Sequence, residues 1–167
     1  MTLFIRFAGL ALALLSMAQI KAQSARVDAY SSEQLASKAQ HLRGMPKFST
    51  GNSGETLERY PNHYTMLIVR NKDGEAELHQ DLADVFIVTA GKATLWTGGS
   101  MQNSKNTDPG EQRGSGLIGA TSISLKTGDI VHIPANVPHQ LRIAPGASFT
   151  YFVVKVSQTA SQPQPAH

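Results

Sequence analysis

The stretch that most constrains the fold is Gly128–His139, which reads GDIVHIPANVPH. Its Gly-Asp pair is a turn signal, and the β-branched residues that follow predict a short strand over 130–133. Pro134 ends this strand because proline removes a ladder donor, and an Asn-Val-Pro turn follows. His139 then opens another predicted strand, over 140–143, so rigid backbone on both sides aims its imidazole.

A second segment, Glu77–Gly91, also sets a histidine and carboxylates beside a predicted strand-turn-strand. Side chains two residues apart in a strand share a face, so Glu77 and His79 point the same way. A short turn then brings the chain back to Asp84. If His139 approaches from the other hairpin, two imidazoles and one or two carboxylates meet. This donor set is typical of a first-row divalent metal with positions open for substrate or oxygen.

From residue 62 onward the sequence has the texture of an all-β domain, with apolar, β-branched runs between turn signals. Eight short strands predict an antiparallel sandwich or barrel rather than an α/β fold. The predicted strands are 64–70, 75–80, 84–90, 92–97, 121–125, 130–133, 140–143 and 149–156.

A short helix is predicted ahead of the strands. Ser31 and Gln34 match a capping box, and the helix is predicted to run to about Leu42. Its single apolar stripe indicates packing on the outside of the domain, with a lid or dimer arm as the alternative. The Gly/Ser/Thr/Asn-rich segment 45–58 is predicted to be a loop.

The longest gap between predicted strands, 98–119, contains six glycines and few apolar residues. Loops of this length are usually functional or disordered. The gap is therefore either a pocket lid or subunit contact, or a disordered loop. Within it, Glu111 and Arg113 are interpreted as an ion pair that anchors the loop.

Residues 1–22 have the pattern of a secretory signal peptide. Arg6 precedes an apolar run over 7–15, and small residues follow, with cleavage expected after Ala18 or Ala22. The run is shorter than the roughly 20 apolar residues that span a bilayer. We therefore expect a periplasmic or secreted protein with no stable membrane anchor.

The charge balance and the cysteine count further limit the expected binding partners and the way the fold is held together. Removing Arg6 and Lys21 from the 15 basic residues leaves 13, against 12 acidic residues, so the remaining chain gives no case for nucleic acid. The chain contains no cysteine, so no disulfide holds the fold. We expect a lead-in with a short helix over 23–60, a barrel domain over 61–156 and a disordered polar tail over 157–167.

The segment around His139 resembles the second motif of the cupin superfamily, Gly-x5-Pro-x-Gly-x2-His-x3-Asn. Gly128, Pro134 and His139 match this motif in place. Asn136 replaces its second glycine, and Ile143 replaces its final asparagine.

The upstream segment is similar to the first cupin motif, Gly-x5-His-x-His-x3–4-Glu-x6-Gly. His79 and Gly91 match, while Glu77 replaces the first histidine and Asp84 replaces the glutamate. Asn71 stands where the leading glycine would be. The resemblance covers about residues 62–156 and implies an all-β, cupin-type jelly-roll barrel, also called a double-stranded β-helix, with a short N-terminal helix.

The resemblance implies a divalent metal, Fe, Mn, Zn or Ni, held by the four residues at the ligand positions: Glu77, His79, Asp84 and His139. In a rival register His79 and Asp81 are the ligand pair, and in a third reading the cupin binds no metal. Asp81 is a candidate catalytic base in the favoured register. Candidate pocket residues are Tyr64, Trp96 and His132.

Families of this fold include dioxygenases, isomerases and lyases. The resemblance therefore implies an exported metal-dependent enzyme acting on a small molecule. The alternatives are a non-catalytic cupin that binds a sugar or other small molecule, and a structural dimer in which the metal only stabilises the barrel. Exposed sheet edges lead us to expect a homodimer, formed through the first predicted strand or the helix.

Overall fold

The computed structural model describes residues 27–158, so the predicted signal peptide 1–22 and most of the predicted tail 157–167 lie outside the described residues. Neither helix in the described part is long and apolar enough to cross a membrane. The elements in chain order are α1 (Ser32–Gly44), a 3₁₀ helix (Pro46–Thr50), β1 (Asn52–Arg59), β2 (His63–Arg70), β3 (Ala76–His79), β4 (Leu82–Thr97), β5 (Ser100–Gln102), β6 (Lys105–Asp108), β7 (Glu111–Gly114), β8 (Gly116–Ile118), β9 (Thr121–Lys126), β10 (Ile130–Ile133), β11 (His139–Arg142) and β12 (Phe149–Ser157).

Two antiparallel layers share the long strand β4. Its first half pairs with β12 and β10, and its second half pairs with β11 and β9. One layer therefore runs β1-β2-β12-β4-β10, and the other runs β9-β4-β11-β3-β7-β6. The layers curl around one apolar interior, which confirms the predicted all-β barrel. Its buried residues include Phe86, Val88, Leu95, Leu125, Ile133, Leu141, Phe149 and Val153.

Gly91 allows β4 to pass from one layer to the other. Its φ is +84°, and a Cβ at this position would lie 2.0 Å from the Ser148 carbonyl oxygen. The register between β4 and β12 also shifts near this point, between Thr150 and Tyr151. The sequence predicted two separate strands here because the glycine looked like a turn. The structure instead has one bent strand.

Helix α1 packs on the outside of the first layer, as predicted. The capping box is present, because the Ser31 side chain accepts from the Gln34 amide and the Gln34 side chain accepts from the Ser31 amide. Ala39 and Leu42 are buried against β2. The apolar stripe of α1 is therefore used within the chain, and β2 lies between β1 and β12. The strand predicted as a dimer contact, 64–70, corresponds to β2 and is therefore not at the edge of its layer.

Two segments predicted as loops contain regular structure. Segment 45–58 forms the 3₁₀ helix and most of β1, which pairs with β2 along its length. Segment 98–119 contains β5 to β8, and its strand β7 joins the second layer beside β3. Both segments are polar, so their strands rest on backbone pairing rather than on an alternating apolar pattern. That pairing is not visible in local sequence.

Candidate metal centre

Three candidate ligands converge at one end of the barrel interior. The ligand atoms of Glu77, His79 and His139 all lie within 4.8 Å of one another. Glu77 and His79 lie two residues apart on β3, as the sequence predicted, and His139 stands opposite Glu77 on β11. The two sequence motifs therefore meet by direct strand pairing.

The turn before His139 is tied to the end of β3. Asn136 has a φ of +62°, a left-handed conformation that asparagine tolerates better than most residues. Its amide nitrogen donates to the His79 carbonyl at 2.8 Å, and its side chain donates to the Gln80 carbonyl at 3.0 Å. Asparagine thus serves where the second cupin motif has glycine, and it fixes the two histidines relative to each other.

One nitrogen of His139 is left for a ligand. Its Nδ1 lies 3.0 Å from the Val137 carbonyl oxygen and donates to it, so Nε2 carries the lone pair of the neutral ring. Seven buried side-chain atoms of the described residues have no hydrogen-bond partner, and two of them, His139 Nε2 and Asp84 Oδ1, belong to this group. Buried polar atoms normally have a partner. The pair of orphaned atoms fits a site built to hold something further.

Asp84 lies beside this group, at the start of β4. Its Oδ2 is 3.5 Å from His79 Nε2 and 3.6 Å from His139 Nε2. Ligands about 2.1 Å from a common tetrahedral metal stand about 3.4 Å apart. The spacing of these donors therefore fits a first-row divalent metal, and the donor set of imidazole and carboxylate fits the same class.

Strand β7 adds two residues whose part in the site the sequence did not reveal. Glu111 stands opposite His79 and accepts a hydrogen bond from its Nδ1 at 2.6 Å, while Arg113 stands opposite Glu77. The predicted ion pair between Glu111 and Arg113 exists, at 3.1 Å. The larger effect of Glu111 is on His79. Its carboxylate accepts from Nδ1 and so directs Nε2 into the site, as is usual for metal-binding histidines.

Lys155 is the third residue that the sequence did not indicate. It lies on β12 opposite Asp84, and its side chain is 10% exposed. Its Nζ is 2.7 Å from His79 Nε2 and 2.8 Å from Asp84 Oδ2. A buried lysine normally requires a partner of this kind. No local sequence pattern indicated a role for Lys155, because it is a single charged residue in the largely apolar strand β12.

The charges around the site favour a cation. Burial raises the pKa of Glu77. Its hydrogen bond with His79 and the positive charge of Arg113 together outweigh burial and hold this pKa well below its usual range. The pKa of Asp84 is likewise lowered, because the contacts with His79 and Lys155 outweigh burial. Both carboxylates are therefore ionised at neutral pH.

The two histidines differ in their pKa. Burial lowers the pKa of His139, so this ring is neutral at pH 7. For His79, burial also lowers the pKa, but hydrogen bonds with Asp84 and Glu77 raise it to about 9. The raised pKa shows that the carboxylates favour a positive charge at His79 Nε2. In this arrangement Lys155 Nζ supplies that charge from 2.7 Å away, and because an ammonium only donates, Nε2 is unprotonated and accepts.

A cavity of about 270 Å³ opens beside the site. Tyr64 lines it, as predicted, together with Met66, Arg113 and Val153. The other two predicted pocket residues lie elsewhere. Trp96 lies under the guanidinium of Arg142, 5.2 Å from it, and His132 is exposed on β10. Aromatic and imidazole side chains do not reveal from sequence alone which face of a curved sheet they occupy.

The position of Asp81 favours the first of the two registers. Asp81 follows the end of β3 and is exposed, outside the residues that line the cavity. The structure therefore brings Glu77 and His79 together and leaves Asp81 apart. Asp81 is not placed to act as a base on a molecule in the cavity.

The fold and this donor cluster define a double-stranded β-helix protein with a candidate metal centre. The profile of the JmjC domain family matches residues 51–162. The chain belongs to this family and, with it, to the broader cupin superfamily. No curated protein matches the chain in sequence.

Solved structures support the fold. A Bacillus halodurans protein is 14% identical, with a TM-score of 0.54 and coverage of 87% of this chain and 88% of its own. A Klebsiella pneumoniae protein with a double-stranded β-helix domain is 13% identical, with a TM-score of 0.52 and coverage of 81% and 95%. A Thermus thermophilus protein is 14% identical, with a TM-score of 0.50 and coverage of 72% and 94%. At these identities the likeness concerns the fold alone.

Proposed function

We propose that this protein is a metal-dependent cupin enzyme that acts on a small molecule in the cavity beside His79 and His139. One observation carries the proposal. Two imidazoles and a carboxylate lie within 4.8 Å of one another, next to a cavity of about 270 Å³. That volume lies near the lower end of the range of small-molecule pockets.

The protein's own residues would divide the work as follows. Glu77, His79 and His139 would hold the metal, with Asp84 beside them, and Glu111 would keep the His79 ring oriented. When bound, a divalent metal supplies Lewis-acid or redox chemistry.

Substrate binding and proton transfer would fall to other groups. Tyr64 and Arg113 line the cavity and could position the polar groups of a substrate. Asp84 lines the cavity and the exposed Asp81 does not, so Asp84 is the aspartate placed to accept a proton from a bound molecule. Dioxygenase, isomerase and lyase reactions all remain within this proposal.

Metal stoichiometry of the purified full chain tests the proposal. Protein refolded with Mn²⁺, Fe²⁺, Ni²⁺ or Zn²⁺ and then desalted should retain about one ion per chain. His79→Ala and His139→Ala should retain little, whereas His132→Ala, an exposed histidine on β10, should match wild type. Oxygen uptake with candidate small molecules then separates dioxygenases from the other reaction types. A wild-type protein that retains none of the four ions would contradict the proposal.

A second candidate function rests on Lys155. Its ammonium already lies where the carboxylates favour a cation, 2.7 Å from His79 Nε2. A metal-free cupin that binds a small molecule, such as a sugar, in the same cavity is consistent with this contact. Retention of no metal together with ligand-induced stabilisation by small molecules would favour it.

Export and self-association complete the proposal. The signal-peptide pattern of 1–22 supports a periplasmic or secreted protein, and N-terminal sequencing of exported protein should begin near residue 19 or 23. A homodimer through β1 is consistent with the position of this strand at the end of its layer. Light scattering at micromolar concentration that gives a monomer mass would refute the dimer.

A further inference from the structure

Lys155 donates a hydrogen bond to the lone pair of His79 Nε2, which a metal bound to His79 would also need. Glu111 accepts the hydrogen bond from His79 Nδ1, so Nε2 is the ring nitrogen that faces the site. The Lys155 Nζ lies 2.7 Å from that Nε2. A metal would bind the same atom at about 2.1 Å. One lone pair serves one partner, so the ammonium and a metal cannot both hold His79.

We infer that Lys155 is an internal cation that fills the metal centre when no metal is bound, and that its departure from His79 sets the metal affinity. The inference rests on the metal site proposed above. Lys155 is then a specificity-determining residue of that site, although it is not itself a ligand.

The fold explains why a lysine stands here. Lys155 is the cross-strand neighbour of Asp84 on β4 and of Tyr64 on β2, so these three residues form a row across three strands. Asp84 is 2% exposed, and Lys155 is the one lysine or arginine among the described residues that forms an ion pair with its carboxylate. A buried carboxylate without a partner is strongly destabilising. Lys155 therefore lets the barrel fold before any metal arrives.

The structure also leaves room for the lysine to move. Lys155 lines the cavity of about 270 Å³, so its flexible side chain can leave His79 without displacing the core. Its contact with Asp84 Oδ2 is separate from its contact with His79 Nε2. Loss of the second contact does not require loss of the first.

Calorimetric titration with Zn²⁺ alone tests the inference. Lys155→Met keeps a side chain of similar length without the ammonium. It should bind Zn²⁺ at least about tenfold more tightly than wild type, since a hydrogen bond to a charged group no longer competes. Arg113→Met is the matched control, because it removes a cation that lines the same cavity but does not touch His79. His139→Ala gives the background from other binding sites.

The outcomes separate this inference from the proposed function. Equal Zn²⁺ affinity in wild type and Lys155→Met would overturn the inference and leave the metal site standing. An equal gain in Lys155→Met and Arg113→Met would also overturn it, because the effect would then be one of net charge. No binding above the His139→Ala background in any variant would overturn both proposals.

A measurement on wild type keeps the inference testable if Lys155→Met does not fold. Amine acylation followed by peptide mapping should label Lys155 several-fold faster in saturating Zn²⁺ than in chelator. Lys126, with a side chain 71% exposed, is the internal control and should label equally in both. Equal labelling of Lys155 with and without bound Zn²⁺ would overturn the inference.

Discussion

Two lysine–aspartate pairs of nearly equal length lie in very different surroundings. Lys155 and Asp84 are 2.8 Å apart, with side chains 10% and 2% exposed. Lys126 and Asp129 are 2.9 Å apart, with side chains 71% and 28% exposed. The first pair joins two adjacent strands, β12 and β4, inside the barrel. The second closes a turn between residues three apart.

Distance alone does not set how much an ion pair contributes to stability. Water screens the surface pair and can replace either partner, so such pairs contribute between about 0 and 1 kcal/mol. The buried pair is largely shielded from water, so removal of Lys155 takes from the Asp84 carboxylate its shortest ionic contact, and removal of one partner of such a pair is strongly destabilising. Lys155 of the buried pair also contacts His79, so metal binding at His79 would affect this pair.

The largest expected effect is on stability without metal. Lys155→Met should lower the free energy of unfolding by about 3–5 kcal/mol, because Asp84 loses its buried partner. Lys126→Met should change it by no more than about 0.5 kcal/mol. Urea unfolding in chelator measures both. Similar losses in the two variants would show that burial does not separate the two pairs.

Zn²⁺ should increase the difference between the two pairs, because the candidate metal centre adjoins the buried pair and not the surface pair. Zn²⁺ at one hundred times its Kd should raise the free energy of unfolding by about 2.7 kcal/mol, since it binds the native state. His79→Ala and His139→Ala should lose this gain, and Lys126→Met should keep it. Thermal unfolding with and without Zn²⁺ is the measurement.

The same unfolding measurement separates the two ligand registers. Glu77→Ala should weaken the response to Zn²⁺, and Asp81→Ala should leave it nearly unchanged, because Asp81 is exposed outside the cavity. The reverse result would restore the register in which His79 and Asp81 are the ligand pair.

A smaller effect is expected from the carboxylate behind His79. Glu111→Gln should weaken Zn²⁺ binding by about 10–100-fold, as loss of a partner behind a ligand typically does. Asp129→Asn, in the surface pair, should leave Zn²⁺ affinity unchanged. Calorimetric titration compares the two variants. Unchanged affinity in Glu111→Gln would show that the strand pairing alone orients His79.

The smallest expected effect is on acid stability. The pKa of Asp84 is lowered in the folded state, so its carboxylate contributes stability above its unfolded pKa of about 3.9, and this is lost as the pH falls below that value. In chelator, the stability of Asp84→Asn should therefore fall less steeply than that of wild type below about pH 4. Asp129→Asn should change the slope less, because its contacts are exposed. Urea midpoints between pH 6 and pH 3 give the slopes, and identical slopes for wild type and Asp84→Asn would contradict this expectation.

Much of the fold was predictable because its signals are local. The capping box at Ser31 and Gln34, the turn at Gly128 and the apolar runs of β2, β10 and β12 each depend on neighbouring residues. The predictions were wrong where strands are polar or bent. Strands β1 and β5 to β8 lack an apolar alternation, and Gly91 looked like a turn although it bends one continuous strand.

The sequence by itself determined the fold class and the donor types of the candidate site. Spacing of two along a strand put Glu77 and His79 on one face, and a rigid corner aimed His139. Only the tertiary structure decided which distant residues complete the site. Glu111 and Lys155 reach His79 through the pairing of β7 with β3 and the position of β12 beside β4. Strand pairing joins residues far apart in the chain, and neither residue carries a local mark of its partner.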